Sequence, residues 1–543
     1  MPGVGGVLHI NSLRRKTTPM LSIFLAPTTI AAIAQCQGMR PVPAMPMPNH
    51  QLEKITTNYT ASSTGSCNHS RDVPTCERTV QFGAVPRICH LAPSASHNWP
   101  ENDGISIIRR NGRPHYHSAQ LGMTISEMPT ALGSSPSNEN RAGLANRNSF
   151  GVVGSGHRIS ARFSGLTINN IDTLTAWPEL NPAVIRLWDT RTRWMNIEPR
   201  QGRWNFERVD TYTKLALDHG ADVIMTLGQP PAWAAGQSRA RCAYGVGCTP
   251  PSNLDFWRNY VRTLVEHSHD SIRYWEIWNE PAQREFWSGS PEKMAALTNA
   301  ACEEIRSIDP NVSIISPSIT LGGIDFFRHY FQSVDKSCID IVSIHYYINN
   351  NNNKDGFDKP SIRFLKRVKE LMRKVGLSDR PIWNTEFGVA CSAGKNGCMS
   401  PSTEQIEAGR LSLFRYLFIM AAENVQSASY YFWERRPPAT PFAMTRDHRL
   451  RLSKNAAIYK KIMNMLQEAV ITQAYEKNGV YVVCIQKRTK RYAAIWSGSS
   501  NASLSIPEKW NYHSYINLLD GNSLIPSHSS LEIPGNSLVI AQN

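Results

Sequence analysis

Arg273-Tyr274-Trp275-Glu276-Ile277-Trp278-Asn279-Glu280-Pro281 decides how the rest of the chain is read. This run of aromatic and β-branched residues, preceded by the polar His267-Ser268-His269-Asp270 and stopped by Pro281, reads as a buried parallel strand. Such a strand ends by presenting Asn279 and Glu280 on a rim. Pro381-Ile382-Trp383-Asn384-Thr385-Glu386-Phe387-Gly388 has the same shape: a short apolar run, a carboxylate near its end and a glycine to open the next loop. The two glutamates lie 106 residues apart. At about 30 to 40 residues per strand-helix unit that is three units, which places them on the fourth and seventh strands of a (β/α)8 TIM barrel, facing each other across its mouth.

The flanking pattern agrees. Apolar runs at 163–168, 184–188, 223–227, 272–278, 312–315, 339–347, 381–387 and 428–433 alternate with helix-like stretches, and eight such units favour a closed barrel over 161–469. No GxGxxG or Walker-type glycine pattern follows any of these strands, which argues against nucleotide binding. Chemistry in a barrel sits at the carboxyl ends of the strands. Those ends and the segments after them carry Arg186, Trp233, Asn279 with Glu280, His345 with Tyr347, Glu386, and Trp433. Carboxylates among aromatic rings, amides and a guanidinium describe a sugar site, since aromatic faces stack on the C–H faces of pyranoses while fixed polar groups hold hydroxyls. Glycoside cleavage needs one carboxyl protonated and one ionised. Glu280, at the end of a Trp-flanked apolar strand, suits the acid; Glu386, beside Arg186, suits the ionised nucleophile. No cluster has metal-ligand spacing, His267 and His269 read as a solvated turn, and no cofactor is expected.

Trp275-Glu276-Ile277-Trp278-Asn279-Glu280-Pro281, His345-Tyr346-Tyr347 and the strand-end Glu386 resemble the clan A retaining glycoside hydrolases, family 39 in particular, over roughly 160–470. The resemblance implies a (β/α)8 barrel, Glu280 as acid/base, Asn279 as partner of the sugar 2-hydroxyl and Glu386 as nucleophile. It further implies that Arg186 and Tyr347 hold the nucleophile, and that His345 and Trp433 line the subsite of the sugar being cleaved. One feature departs: the clan often has a histidine near the end of the third strand, where this chain has Leu227-Gly228-Gln229-Pro230-Pro231. The expected activity is a retaining glycosidase on β-linked oligosaccharide or polysaccharide, with a family 5-type endo-glycanase or a non-catalytic sugar-binding barrel as alternatives.

The 543 residues allow two or three domains, and 41% hydrophobic content supports a sizeable core. Residues 1–35 read as a signal peptide: Arg14-Arg15-Lys16, an apolar run from Leu21 to Ala34 too short to span a bilayer, and small residues before Gln35. Export to a secreted or periplasmic location follows. Residues 36–160, rich in Pro, Ser, Asn and Arg without period, read as a mostly disordered extension, and 470–543, with short alternating strands, as a small antiparallel β-sandwich. Lys and Arg exceed Asp and Glu, 58 to 43, but as scattered charge; no nucleic-acid motif and no transmembrane stretch appears. Among eleven cysteines, Cys242 with Cys248 and Cys391 with Cys398 bracket short glycine-containing segments and read as disulfide-closed loops.

Overall fold

The computed structural model describes residues 150–151, 156–169, 177–237, 240–349, 357–390, 402–434, 442–446, 451–498 and 500–543. The signal-peptide segment, nearly all of the extension and the Cys391–Cys398 pair lie outside them.

Short apolar strands and amphipathic helices alternate as the sequence pattern demands. In chain order they are β1 (His157–Arg158), β2 (Ser164–Leu166), β3 (Val184–Leu187), α1 (Trp194–Ile197), α2 (Glu207–Asp218), β4 (Asp222–Leu227), α3 (Leu254–Ser268), β5 (Tyr274–Ile277), α4 (Pro291–Ile308), β6 (Ser313–Ile315), α5 (Ile324–Ser333), β7 (Val342–Asn349), α6 (Asp358–Val375), β8 (Ile382–Ala390), α7 (Thr403–Ala422), β9 (Val425–Tyr430) and α8 (Lys454–Leu466). Strands β2 to β9 form one parallel sheet in the order 6-5-4-3-2-9-8-7. Parallel bridges Ile315 to Ile341 and Ile319 to Ile344 link its two outer strands, so the sheet curls into a TIM-barrel-like ring.

Period-two alternation sorts the side chains. On β3, Ile185 and Leu187 join the large core under the helices, while Val184 and Arg186 belong to the barrel interior. Val184, Ile224, Ile315, Ile341 and Trp383 form a small apolar cluster of their own, the floor of the barrel. Two residues further along the strands come Arg186, Thr226, Glu276, Ser343 and Thr385, a fully polar layer. The helices start and stop where side chains cap them: Asn253 accepts from the Asp255 N–H ahead of α3, Ser290 from Lys293 N–H ahead of α4, and Ser402 with Gln405 makes a reciprocal capping box on α7. A disulfide between Cys302 on α4 and Cys338 after α5 closes a 36-residue separation that the sequence pattern does not reveal. By chain entropy it contributes on the order of 3 to 4 kcal/mol.

Beyond the barrel, β10 (Val470–Lys477), β11 (Val480–Lys487), β12 (Lys490–Ser497), β13 (Ala502–Ser505), β14 (Ser514–Asn517), β15 (Ser530–Ile533) and β16 (Val539–Gln542) make antiparallel sheets. One has six strands in the order 1-10-11-12-16-14; β13 and β15 form a separate ribbon. Alternation again decides the faces. Tyr481, Val483, Ile485, Ala494 and Trp496 pack into the barrel's core, whereas Val480, Val482, Ala493 and Ile495 pack with Leu504, Leu531 and Ile533 of the ribbon. Arg415 of α7 reaches across, its Nη2 donating to the carbonyls of Gly535 and Ser537 at 2.9 Å.

One part of the expected extension takes a place in this sheet. Residues 157 and 158 pair with Ile471 and Val470, Ile159 is fully buried, and Phe150 stands edge-on to Tyr481 and Trp496. A two-residue strand whose partner lies more than 300 residues away has no local period by which to be read.

Candidate active site

The chain leaves β5 through two residues in the left-handed region, Trp278 at φ 64° and Glu280 at φ 45°. Such conformations cost about 1 to 3 kcal/mol each and persist only where packing imposes them. Here Trp278 is clamped by Trp257 and Trp287, and its ring lies so close to Gly228 that a β-carbon there would stand 2.9 Å from it. The kinked strand end turns Asn279 and Glu280 into the mouth. Across the mouth, a register shift between Ile344 and His345 of β7 sets the extra residue Thr385 into β8. At this bulge Thr385 and Glu386 both address interior partners, although they are neighbours in sequence.

Arg186, with no exposed surface, ties the site together. Its Nε donates to Glu276 Oε2 at 2.7 Å, its Nη1 to Glu386 Oε2 at 2.6 Å and its Nη2 to Asn279 Oδ1 at 2.8 Å. The second oxygen of Glu386 accepts from the Tyr347 hydroxyl at 2.6 Å. Glu280 is held differently: Gln283 Nε2 donates to its Oε2 at 2.7 Å, its Oε1 faces His345 Nδ1 at 2.9 Å, and its backbone N–H donates to Ser318. One carboxylate oxygen from each glutamate and a ring nitrogen of His345 all lie within 4.8 Å of one another.

That spacing fits a cation as well as a carboxylate pair. The donor set favours the pair: every oxygen of both glutamates and both nitrogens of His345 already face hydrogen-bonding partners, and Arg186 brings a fixed positive charge to the same place.

Burial pushes both carboxyls upward. Glu280 is pushed up to about 7, by burial first, with Arg186 opposing and Glu285 and Glu276 adding. Glu386 is raised by burial too, against the pull of His345, Arg186 and the Tyr347 hydroxyl. The two titrate as a pair, and a single proton belongs on Glu280, because only Glu386 receives a guanidinium and a phenol directly on its two oxygens. Burial lowers His345 to about 4, so its ring is neutral at ordinary pH. Glu276 is also fully buried; burial works against its charge, but Arg186, His345 and the Thr385 and Thr226 hydroxyls hold its carboxyl below the usual range.

These charges assign the protons. Thr385 Oγ1 donates to the ionised Glu276 Oε1 at 2.5 Å, so towards His345 Nε2, 3.0 Å away, it can only accept. The imidazole hydrogen therefore sits on Nε2, the lone pair is on Nδ1, and the contact with Glu280 is closed by a proton on Glu280.

Of the expected site residues, Arg186, Asn279, Glu280, His345, Tyr347 and Glu386 come together. Trp433 is buried just after β9, and among the described residues its indole N–H meets no acceptor. Trp233 is half-buried after β4: its ring stands edge-on to Trp194 and Phe256, and its N–H donates to the Glu198 carbonyl at 3.1 Å. Gln229, at the position of the missing histidine, is fully buried with φ 61°, and among the described residues neither amide atom has a hydrogen-bond partner.

Other participants escaped the sequence pattern. Glu276 carries a signal, a carboxylate inside an apolar strand and in phase with the interior. Asp189 and Tyr431 are legible by their places at strand ends, but their contact is not: the two Asp189 oxygens accept from Tyr244 and Tyr431, each at 2.6 Å. Tyr244 sits in the expected Cys242–Cys248 loop, which is closed by a disulfide, and carries Arg193 over its ring at 3.8 Å. Tyr431 stands edge-on to Tyr347, the partner of Glu386.

Residues 187–401 match the model of the family Glycosyl hydrolases family 39. A beta-xylosidase from Caldicellulosiruptor saccharolyticus is 24% identical over 152 residues, which are 26% of this chain and 31% of that protein, so the match spans about a third of this relative. Among solved structures, a family 39 glycoside hydrolase from Bacteroides cellulosilyticus superposes with a TM-score of 0.53 at 14% identity, over 70% of this chain and 81% of that one. A family 39 beta-xylosidase from Caulobacter crescentus gives 0.51 at 14% identity, over 72% and 97%. At such identities these structures speak for the fold. The matched residues carry the strands that bear both glutamates, and over them the chain is similar to Glycosyl hydrolases family 39.

Proposed function

We propose that this chain is a retaining glycosidase that cleaves β-linked oligosaccharides or polysaccharides by double displacement. The observation that carries this reading is the pair itself: oxygens of Glu280 and Glu386 within 4.8 Å of one another, one carboxyl shifted to about 7 and the other bonded to Arg186 and Tyr347. Retaining enzymes hold their carboxyl groups about 5 to 5.5 Å apart, and inverting ones leave room for a water at about 6.5 to 9.5 Å. Glu386 attacks the anomeric carbon while Glu280 protonates the departing oxygen. In the second step Glu280, now ionised, takes a proton from water, which displaces Glu386. The Asn279 carbonyl oxygen is engaged by Arg186, which directs its NH2 group to a sugar hydroxyl.

Xylose-configured β-glycosides are the first substrates to try, given the relatives named beta-xylosidase. The antiparallel C-terminal unit, two sheets around a shared apolar cluster, reads as a small β-sandwich with a structural role. The two disulfides suit an oxidising compartment, and among the described residues no helix is long and apolar enough to cross a membrane, so a secreted or periplasmic enzyme is the reading they support. The test is stereochemical. Proton NMR in the first minutes of hydrolysis of an aryl β-glycoside is expected to show the β-anomer before mutarotation; an α-anomer formed first would rule out direct attack by Glu386.

A further inference from the structure

Part of the basic surplus that looks scattered along the sequence is gathered on one helix. Helix α6 carries seven Lys and Arg residues against two acids. Lys359, Arg363, Lys366, Arg367, Arg373 and Lys374 recur at helical spacing and line one groove, with Arg328 of α5 on its opposite bank. The acids do little to neutralise it. Asp358 is buried, and Glu370 is taken up by Arg373 and Lys374 at 2.9 and 3.4 Å. Lys369 pairs with Glu423 and Arg328 with Asp325, and Glu476 is the other carboxylate of the groove. Among the described residues no carboxylate pairs with Lys359, Arg363 or Arg367, all three exposed. Because α6 follows β7, it starts at the catalytic end of the barrel and runs down the outer wall. From Lys359 to Lys374 the stripe is about 22 Å long.

We propose that this stripe binds a polyanionic glycan, a polysaccharide with carboxylates along its chain, and so holds acidic polymer beside the catalytic mouth. The chain's own first 149 residues are net basic too, with 13 Lys and Arg against 7 Asp and Glu. No exposed large apolar side chain lies on α6, so the face lacks what an interfacial helix inserts into a bilayer or a single strand stacks on. Guanidinium forks instead match carboxylates. The choice of a glycan among polyanions rests on the glycosidase reading; the binding does not.

The experiment uses the full chain, with polygalacturonate as acidic probe, neutral xylan as control, and titration calorimetry at 50 and 300 mM NaCl. The wild type is expected to bind polygalacturonate more tightly than xylan and to lose affinity with salt. R363E/R367E is expected to weaken that binding by about tenfold or more, because it reverses two unpaired charges, while hydrolysis of a neutral aryl glycoside is unchanged. Unchanged polygalacturonate affinity in the variant overturns the proposal. So does equal binding of xylan, or tighter binding of a DNA duplex or phosphatidylserine vesicles that the same variant loses. If the wild type binds as expected but hydrolyses no glycoside, the surface stands and the catalytic reading falls.

Discussion

Glu280 and Glu386 sit a few ångströms apart, both buried and both shifted upward by burial, yet their partners differ in kind. The direct hydrogen-bond partners of the Glu280 carboxyl are neutral: the Gln283 amide on one oxygen and, on the other, a His345 ring that burial keeps uncharged. Glu386 has Arg186 on one oxygen and the Tyr347 phenol on the other. Equal burial with unequal charge partners is what separates an acid from a nucleophile. The barrel floor makes the same point by contrast, since Val184, Ile224, Ile315 and Ile341 bring no charge to orient.

The sharpest way to break the comparison is to delete each carboxylate. On the proposed mechanism Glu386→Ala removes the group that forms the covalent intermediate, and kcat is expected to fall by at least about four orders of magnitude on every substrate. Glu280→Ala removes only proton transfer, so the loss is about 10²- to 10⁴-fold on poor leaving groups and small for the first step on dinitrophenyl glycosides. Azide, which needs no base, is expected to restore Glu280→Ala turnover and give a β-glycosyl azide. Azide rescue of Glu386→Ala alone, with an α-product, would exchange the two roles.

A change of pH acts on the same difference more gently. The proposed mechanism needs Glu280 protonated in the first step, so kcat/KM is expected to fall above about pH 7. Stability carries the same sign. A carboxyl raised from 4.5 to about 7 favours the folded state below 4.5 and loses that contribution as pH rises through 7, a change of roughly 3 kcal/mol. Glu280→Gln carries no titrating proton. Its melting temperature relative to wild type is therefore expected to improve between pH 5 and pH 8; a constant gap would mean that Glu280 titrates near its ordinary value.

What the sequence revealed and what it hid divide along physical lines. Apolar runs and strand ends are local, so all eight barrel strands and both glutamates were legible, as was the six-residue Cys242–Cys248 spacing. Cys302–Cys338 was hidden because its partners meet only once α4 and α5 are packed. Thr385 was hidden because its inward turn depends on a bulge, and a register shift leaves no trace in composition.

Thr385 also offers the finest test of the difference between the two glutamates. Its hydroxyl gives its hydrogen to Glu276 and accepts the one on His345 Nε2, which leaves Nδ1 as a bare acceptor opposite Glu280. An acceptor there favours the protonated acid. Thr385→Val removes the hydroxyl, frees the imidazole to move its hydrogen to Nδ1, and so offers the ionised carboxylate a donor. The alkaline limb of kcat/KM is then expected to shift to lower pH, with a loss of about three- to tenfold at pH 7 and much less at pH 5. Thr385→Ser keeps the hydroxyl and is expected to restore the profile. A loss of equal size at every pH would instead mean that Thr385 serves only to support Glu276, with the proton on Glu280 held there by burial alone.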